Sequence, residues 1–130
     1  MKPILIIFLA AILFSGCHTS KNVTSVKQKA VIAKDKDSTQ YEVLIFDPDF
    51  DFWYQVHFNS VLDYTNEYYR TQNTLAVVRW NSYYTSGRYY RIIENYLDYD
   101  NNTDYGIDIN RKLYWYFKYV QEQFHLRLLK

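Results

Sequence analysis

The chain has 130 residues, with 15 Lys and Arg against 14 Asp and Glu, so it has room for one small domain and no net field to recruit nucleic acid. Its 15 tyrosines, 8 phenylalanines and 3 tryptophans supply ample apolar surface and exclude a wholly disordered chain. A single cysteine excludes an intrachain disulfide and a cysteine-built metal cage.

After Lys2, residues 4–14 form an unbroken apolar run of eleven. That is short of the ~20 residues a membrane-spanning helix needs, and it fits the apolar region of a secretory signal. Phe14-Ser15-Gly16-Cys17 follows. Small residues before a cysteine at this depth resemble the lipobox of bacterial lipoproteins, where a signal peptidase cuts before the cysteine and lipid is added to its sulfur and new amino group. Phe14 stands where leucine is usual. The expectation is a cleaved signal over residues 1–16 and lipidation at Cys17. Membrane lipid is then the first partner, because several acyl chains give stable attachment where one is marginal.

Residues 18–40 contain no aromatic residue, no Gly and no Pro. Lys21, Lys27, Lys29, Lys34 and Lys36 against Asp35 and Asp37 give this stretch a charge of +3. With Cys17 it reads as a flexible tether, 17–40, with a root-mean-square span of ~25–30 Å, whose lysines suit anionic headgroups. Val31-Ile32-Ala33 has the makings of one helical turn. Asp37-Ser38-Thr39 resembles the short O-glycosylation motif of exported Bacteroidota proteins.

All tyrosines and tryptophans fall in residues 41–130, the expected globular domain, which carries 9 basic and 12 acidic residues. Residues 41–46 are β-rich and end at Asp47-Pro48, which predicts a strand. Residues 49–59 alternate as in a strand but also carry a helical stripe of Phe50, Trp53, Tyr54 and His57. Asp47 as cap, Pro48 at the first position and Asp49 and Asp51 in the first turn favour the helix. Residues 62–84 predict the long helix. Val61, Tyr64, Tyr68, Leu75, Val78 and Ser82 share one side, and Leu62, Tyr69, Ala76, Trp80 and Tyr83 continue the apolar arc, so this helix is expected to be central. Ser86-Gly87 ends it.

Residues 88–100 suit either helix or extended chain. Residues 100–104 form a loop, and 107–124 predict the last helix on a stripe of Ile109, Leu113, Tyr116, Phe117, Val120 and Phe124. Residues 126–129 suit a short strand near 41–46. The fold class is α+β: two main helices on a two- or three-stranded sheet.

Several motifs together resemble a family. They are Phe46-Asp47-Pro48-x-Phe50-x-x-Trp53, Tyr68-Tyr69, Trp80-Asn81, Asp104-Tyr105-Gly106-Ile107-x-x-Asn110 and Leu113-Tyr114-x-Tyr116-Phe117. They resemble the tyrosine-rich small lipoproteins of Bacteroidota classed as a domain of unknown function. The resemblance covers most of 41–129 and implies an exported lipoprotein; it carries no activity and no site residues.

Chemistry-bearing constellations are sparse. Asp47, Asp49 and Asp51, and Asp100, Asn102, Asp104 and Asp108, have calcium-loop spacing. Phe52 and Tyr105 replace the required glycine, and Phe58 and Arg111 replace the late glutamate. Helix capping is the better reading. No metal and no cofactor are expected, and no nucleophile motif or glycine-rich phosphate loop is present.

Two residues break their local pattern. Arg79 falls inside the apolar arc of the long helix and is the candidate for a buried ion pair, with Asp47 or Asp98 as partner. Trp115 lies opposite the core stripe of the last helix; it stacks on Arg111, anchors a second packed layer, or with Arg111 and Lys118 forms the candidate interaction surface for a protein or glycan. The functional expectation is a lipid-anchored, non-enzymatic accessory module of the cell envelope with a protein partner. It is placed on the outer membrane facing the periplasm, since His18-Thr19-Ser20-Lys21-Asn22 lacks the acidic cluster that resembles the surface-export signal. The alternative is a glycan-binding module or carbohydrate-active enzyme. No nucleic-acid partner is expected.

Overall fold

The computed structural model describes residues 27–34, 36 and 39–130. Cys17, the signal over 1–16 and most of the expected tether lie outside the described residues. The elements are β1 (Ala30–Lys34), β2 (Tyr41–Ile45), α1 (Pro48–His57), a 3₁₀ turn (Ser60–Leu62), α2 (Asn66–Ser86) and α3 (Ile107–Phe124). The architecture is a small α+β domain, three helices with a two-stranded antiparallel sheet.

The sheet corrects the expected boundary at residue 41. Strand β1 comes from the stretch read as tether, and it pairs from Ala30 opposite Ile45 to Lys34 opposite Tyr41. Ala30 and Val43 are buried, and Ile32 and Ile45 pack against the same core. Their i, i+2 spacing puts all four on one face of the ribbon. Upstream, Gln28 forms a parallel bridge with Ile93, so the domain takes hold of the chain at about residue 28. The short Ala-Val-Ile-Ala run is apolar enough to form an edge once a partner strand is present, which composition alone does not reveal.

Helix α1 forms as its cap predicts. The Asp47 carboxylate accepts from the Asp49 N–H at 2.9 Å and Pro48 opens the first turn. Phe50 and Trp53, three apart, are its buried residues. Helix α2 starts later than expected, at Asn66, because Thr65 supplies the cap, accepting from the Tyr68 N–H at 3.2 Å. Gly87, at φ 67°, closes it in the left-handed region. Helix α3 has the predicted bounds, opened by Gly106 at φ 80° and ended by His125 at φ 55°.

The central helix is α3, not α2. Leu113, Tyr114, Trp115, Tyr116, Phe117, Tyr119 and Val120 are all buried, which requires cover on nearly every side. Helix α2 covers one side: Trp80 meets Tyr116 and Phe117 with ring centroids 5.9 Å away, and Tyr69 meets Tyr114 at 5.2 Å. Helix α1 covers another, with Phe50 on Tyr116 at 5.5 Å and Trp53 on Tyr119 at 5.4 Å. The buried residues of α2 are Tyr69, Asn73, Ala76, Val77 and Trp80. The other half of its predicted arc faces outward: Val78 is 65% exposed and Leu75 only partly buried.

Residues 88–100 are neither helix nor regular strand. Ile93 and Leu97 are buried, and α2 holds the backbone from its side chains. Trp80 Nε1 donates to the Asn95 carbonyl at 2.8 Å, and the Asn81 amide exchanges two hydrogen bonds with Leu97, at 2.9 and 2.8 Å. The expected strand at 126–129 does not form. Leu126, Leu128 and Leu129 are buried, but the Leu128 and Leu129 N–H groups donate to Gln121 Oε1 at 3.0 and 2.8 Å. A side chain thus takes the place of a neighbouring strand.

Candidate functional site

The three residues of the expected interaction surface come together, but not at the surface. Trp115 is only 8% exposed. Helix α1 and the residue after it cover its face of α3: Tyr54 and Phe58 meet the indole edge-on, with centroids 6.0 and 5.8 Å away, and Trp53 lies at 6.1 Å. The candidate interaction surface at Trp115 is therefore corrected in favour of the second packed layer, one of the alternatives open for this residue. Helix α1 provides that layer. Lys118 lies half-buried with Nζ over the Trp115 ring at 4.7 Å, closing the rim of that layer.

Arg111 is a structural hub. Its Nη2 donates to Asp63 Oδ2 at 2.6 Å, its Nη1 to Asp108 Oδ1 at 2.8 Å, and its guanidinium lies over the Phe58 ring at 5.5 Å. The other Asp63 oxygen accepts from the Tyr69 hydroxyl, and from the Tyr64 N–H at 3.0 Å. Burial alone would push the Asp63 carboxyl up; the hydrogen bonds from Arg111 and Tyr69 outweigh it and hold it below the usual carboxylate range. The Asp63 hydrogen bond raises Arg111 in turn. For Tyr69, burial is the larger cause of a raised hydroxyl, with the Asp63 contact adding to it.

Arg79 makes no buried ion pair with Asp47 or Asp98. Its Nη1 donates to the Leu128 carbonyl at 2.7 Å, clamping the C-terminal segment to α2. Asp98 is exposed. Asp47 is buried and has other partners: the Gln28 amide at 2.7 Å and the Tyr119 hydroxyl at 2.9 Å both donate to its Oδ2. Tyr116 completes this network by donating to Gln28 Oε1 at 3.3 Å. A second buried network centres on Asn110. Its Nδ2 donates to Asn66 Oδ1 at 2.8 Å, its carbonyl accepts from Asn73 at 2.8 Å, and its Oδ1 accepts from Tyr99 at 3.0 Å.

Both networks serve the fold, with Asn73 Oδ1 the buried oxygen left without a hydrogen-bond partner. The acidic loop behaves likewise: Asp100 accepts from the Asn102 N–H at 2.9 Å and Asp104 from the Gly106 N–H at 3.1 Å. Among the described residues no three His, Cys, Asp or Glu side chains converge to hold a metal ion.

What remains available for function is on the outside. Val61 is 87% and Leu62 71% exposed, adjacent on the 3₁₀ turn. The turn is rigidly built. Asn59 accepts from the Val61 N–H through its side chain and from the Leu62 N–H through its carbonyl, both at 3.0 Å. Asp63, the one charged residue between Phe58 and Asn66, is drawn inward by Arg111. Phe52 and Val56, one turn apart on α1, are likewise exposed. The sequence reading missed this apolar surface because it ran the long helix back to residue 62; the Asn59 and Thr65 caps were the signal that a turn intervenes.

One open groove of about 670 Å³ lies between the C-terminal half of α2 and residues 96–99, with Tyr96, Asp98, Ser82 and Thr85 among its lining.

No curated protein and no solved structure matches the chain. One family model does, and it begins inside the apolar run at residue 4, takes in Cys17, and continues through α3 to the last residue. By that match over residues 4–130, the chain belongs to the family described as "Family of unknown function (DUF6146)".

Proposed function

We propose that this protein is a lipid-anchored cell-envelope lipoprotein of the Bacteroidota type, acylated at Cys17, whose domain acts as a non-enzymatic interaction module. The anchor rests on Phe14-Ser15-Gly16-Cys17 behind an eleven-residue apolar run. Outer-membrane attachment facing the periplasm follows from the segment after Cys17, which lacks an acidic export cluster.

The observation that carries the interaction role is the Val61–Leu62 turn. Two neighbouring apolar side chains are held out to solvent while the charge beside them is turned into the protein. A folded domain that displays apolar side chains on a fixed frame suits a protein partner. Replacing both with serine, and crosslinking from the adjacent exposed Ser60 in intact envelopes, tests it. The expected result is an unchanged melting temperature and loss of a crosslinked partner. A partner pattern unaffected by the substitution would sink the reading.

The groove beside α2 favours glycan binding as the second reading, because Tyr96 offers a stacking face and Asp98, Ser82 and Thr85 offer hydroxyl partners. A glycoside hydrolase needs two carboxyl groups ~5–9 Å apart, and Asp98 is the one carboxylate lining the groove. Loss of oligosaccharide binding in Tyr96→Ala would establish this reading over the first.

A further inference from the structure

The corner where the chain enters the domain is basic and aromatic. The segment at Lys27–Lys29 is stitched to residues 92–94: the Gln28 N–H donates to the Ile92 carbonyl and the Glu94 N–H donates back to the Gln28 carbonyl at 3.0 Å. This lays Lys27 and Lys29 along residues 92–94, the stretch that directly follows Arg88 and Arg91 in the chain. Lys27, Arg88 and Arg91 are exposed; Glu94 is paired to Lys29 at 3.9 Å, and the buried Asp47 carboxylate accepts from Gln28 between the two lysines. The local balance of four cations and two carboxylates is +2, on a domain whose residues 27–130, with 13 basic and 14 acidic, sum to −1.

Exposed rings accompany the charges. Tyr90 is 61% exposed and accepts from Arg91 Nε at 2.9 Å, and Phe46, under Lys29 Nζ at 5.0 Å, is also exposed. Lysine and arginine beside interfacial aromatics is the composition that binds the headgroup layer of an anionic membrane.

We infer that this corner, formed by Lys27, Lys29, Arg88, Arg91, Tyr90 and Phe46, is the face with which the domain rests on anionic phospholipid headgroups. The inference rests on Cys17 being the acylated residue. Ten residues lie between Cys17 and Gln28, and the eleven chain steps from one to the other reach ~40 Å at most. The corner is the part of the domain to which that anchor is joined. Electrostatic contact there adds a second attachment to the acyl chains and fixes which side of the domain turns outward.

The test uses the full lipidated chain in phosphatidylcholine vesicles with and without phosphatidylglycerol. Acylation blocks Cys17, the only native cysteine, so a fluorophore can be placed at Tyr90→Cys or, as a distal control, at Leu62→Cys. With phosphatidylglycerol present, the position-90 label is expected to be quenched by headgroup nitroxides and the position-62 label to stay bright. High salt, or Arg88→Gln with Arg91→Gln, is expected to remove the quenching while the chain still sediments with the vesicles. An unquenched position-90 label on sedimenting vesicles would overturn the inference and leave the anchor standing. A position-90 label shielded from iodide in native envelopes but unquenched by lipid would assign the corner to a protein instead. A chain that neither sediments nor resists thiol labelling at Cys17 would remove the anchor, and the inference with it.

Discussion

The side-chain amide of Gln28 donates to the buried carboxylate of Asp47 at 2.7 Å, joining the N-terminal arm to the cap of α1. Asp47 thereby serves both the helix start, through the Asp49 N–H, and the arm. Tyr119 and Tyr116 fix the same network to α3, and burial, with the Asp47 charge next, raises both hydroxyls.

The arm should therefore be indispensable to the fold. Gln28→Ala is expected to cost about 1.5–3 kcal/mol, the range for a hydrogen bond to a charged group. A chain beginning at residue 39 loses β1 as well and should unfold at a lower denaturant midpoint than Gln28→Ala. Equal denaturation midpoints for that truncation and the wild type would show that β1 contributes nothing.

Trp115 and Lys118 should separate in thermal melts. Trp115→Ala opens a cavity under Tyr54 and Phe58 and is expected to cost ~3–5 kcal/mol. Lys118→Ala removes one cation from a ring face, an interaction of ~0.5–1 kcal/mol at a partly exposed site. A Trp115→Ala protein as stable as wild type would contradict the α1 layer.

The phase of α2 can be checked against α3. Leu113→Ala, at a fully buried position, is expected to cost ~2–5 kcal/mol. Val78→Ala, on the outward side of α2, should stay within ~0.5 kcal/mol. Comparable losses at both positions would mean that the α2 axis is rotated from the orientation described.

Stability should fall off at both ends of the pH range. Asp63 has a folded pKa below its unfolded value of ~3.9. Its contribution is present above that value and disappears as pH falls through the folded pKa; Asp63→Asn should flatten this acid limb. Tyr99 moves the opposite way, with burial pushing its hydroxyl up to about 12. A raised folded pKa is stabilising below the unfolded value of ~10 and that stabilisation is lost as pH climbs toward 12. Tyr99→Phe should reduce the alkaline loss in urea melts taken between neutral pH and pH 11. An unchanged alkaline limb in Tyr99→Phe would show that other groups set it.

Helix α3 was legible because its apolar stripe is regular and its ends are marked, and α1 because Asp47-Pro48 settles an otherwise ambiguous pattern. The phase of α2 was not legible. Tyr68, Leu75 and Val78 look as apolar as Tyr69, Ala76 and Trp80, and only the position of α3 selects between them. The burial of Trp115 was left undecided for a related reason: a single helical wheel shows one stripe, whereas a helix packed on several sides has no outer face. Strand β1 escaped because its partner, not its composition, makes it a strand. The family-like motifs prove to be joints. Asp47-Pro48 caps α1, Trp80-Asn81 pins residues 95–97, and Asn110 ties the starts of α2 and α3 to Tyr99.

The bridge from Gln28 to Ile93 also sets an order of events in folding. The arm emerges early during synthesis, yet its partners at Ile93 and Tyr116 come 65 and 88 residues later. Arg79 likewise waits for the carbonyl of Leu128. Contacts this distant close only after the loop entropy between them has been overcome. The sheet ribbon and α1 can form locally, but the core cannot be sealed until almost the last residue is available. The polypeptide therefore stays open, and fit to be threaded through a narrow passage, until Tyr116 and Leu128 have been made.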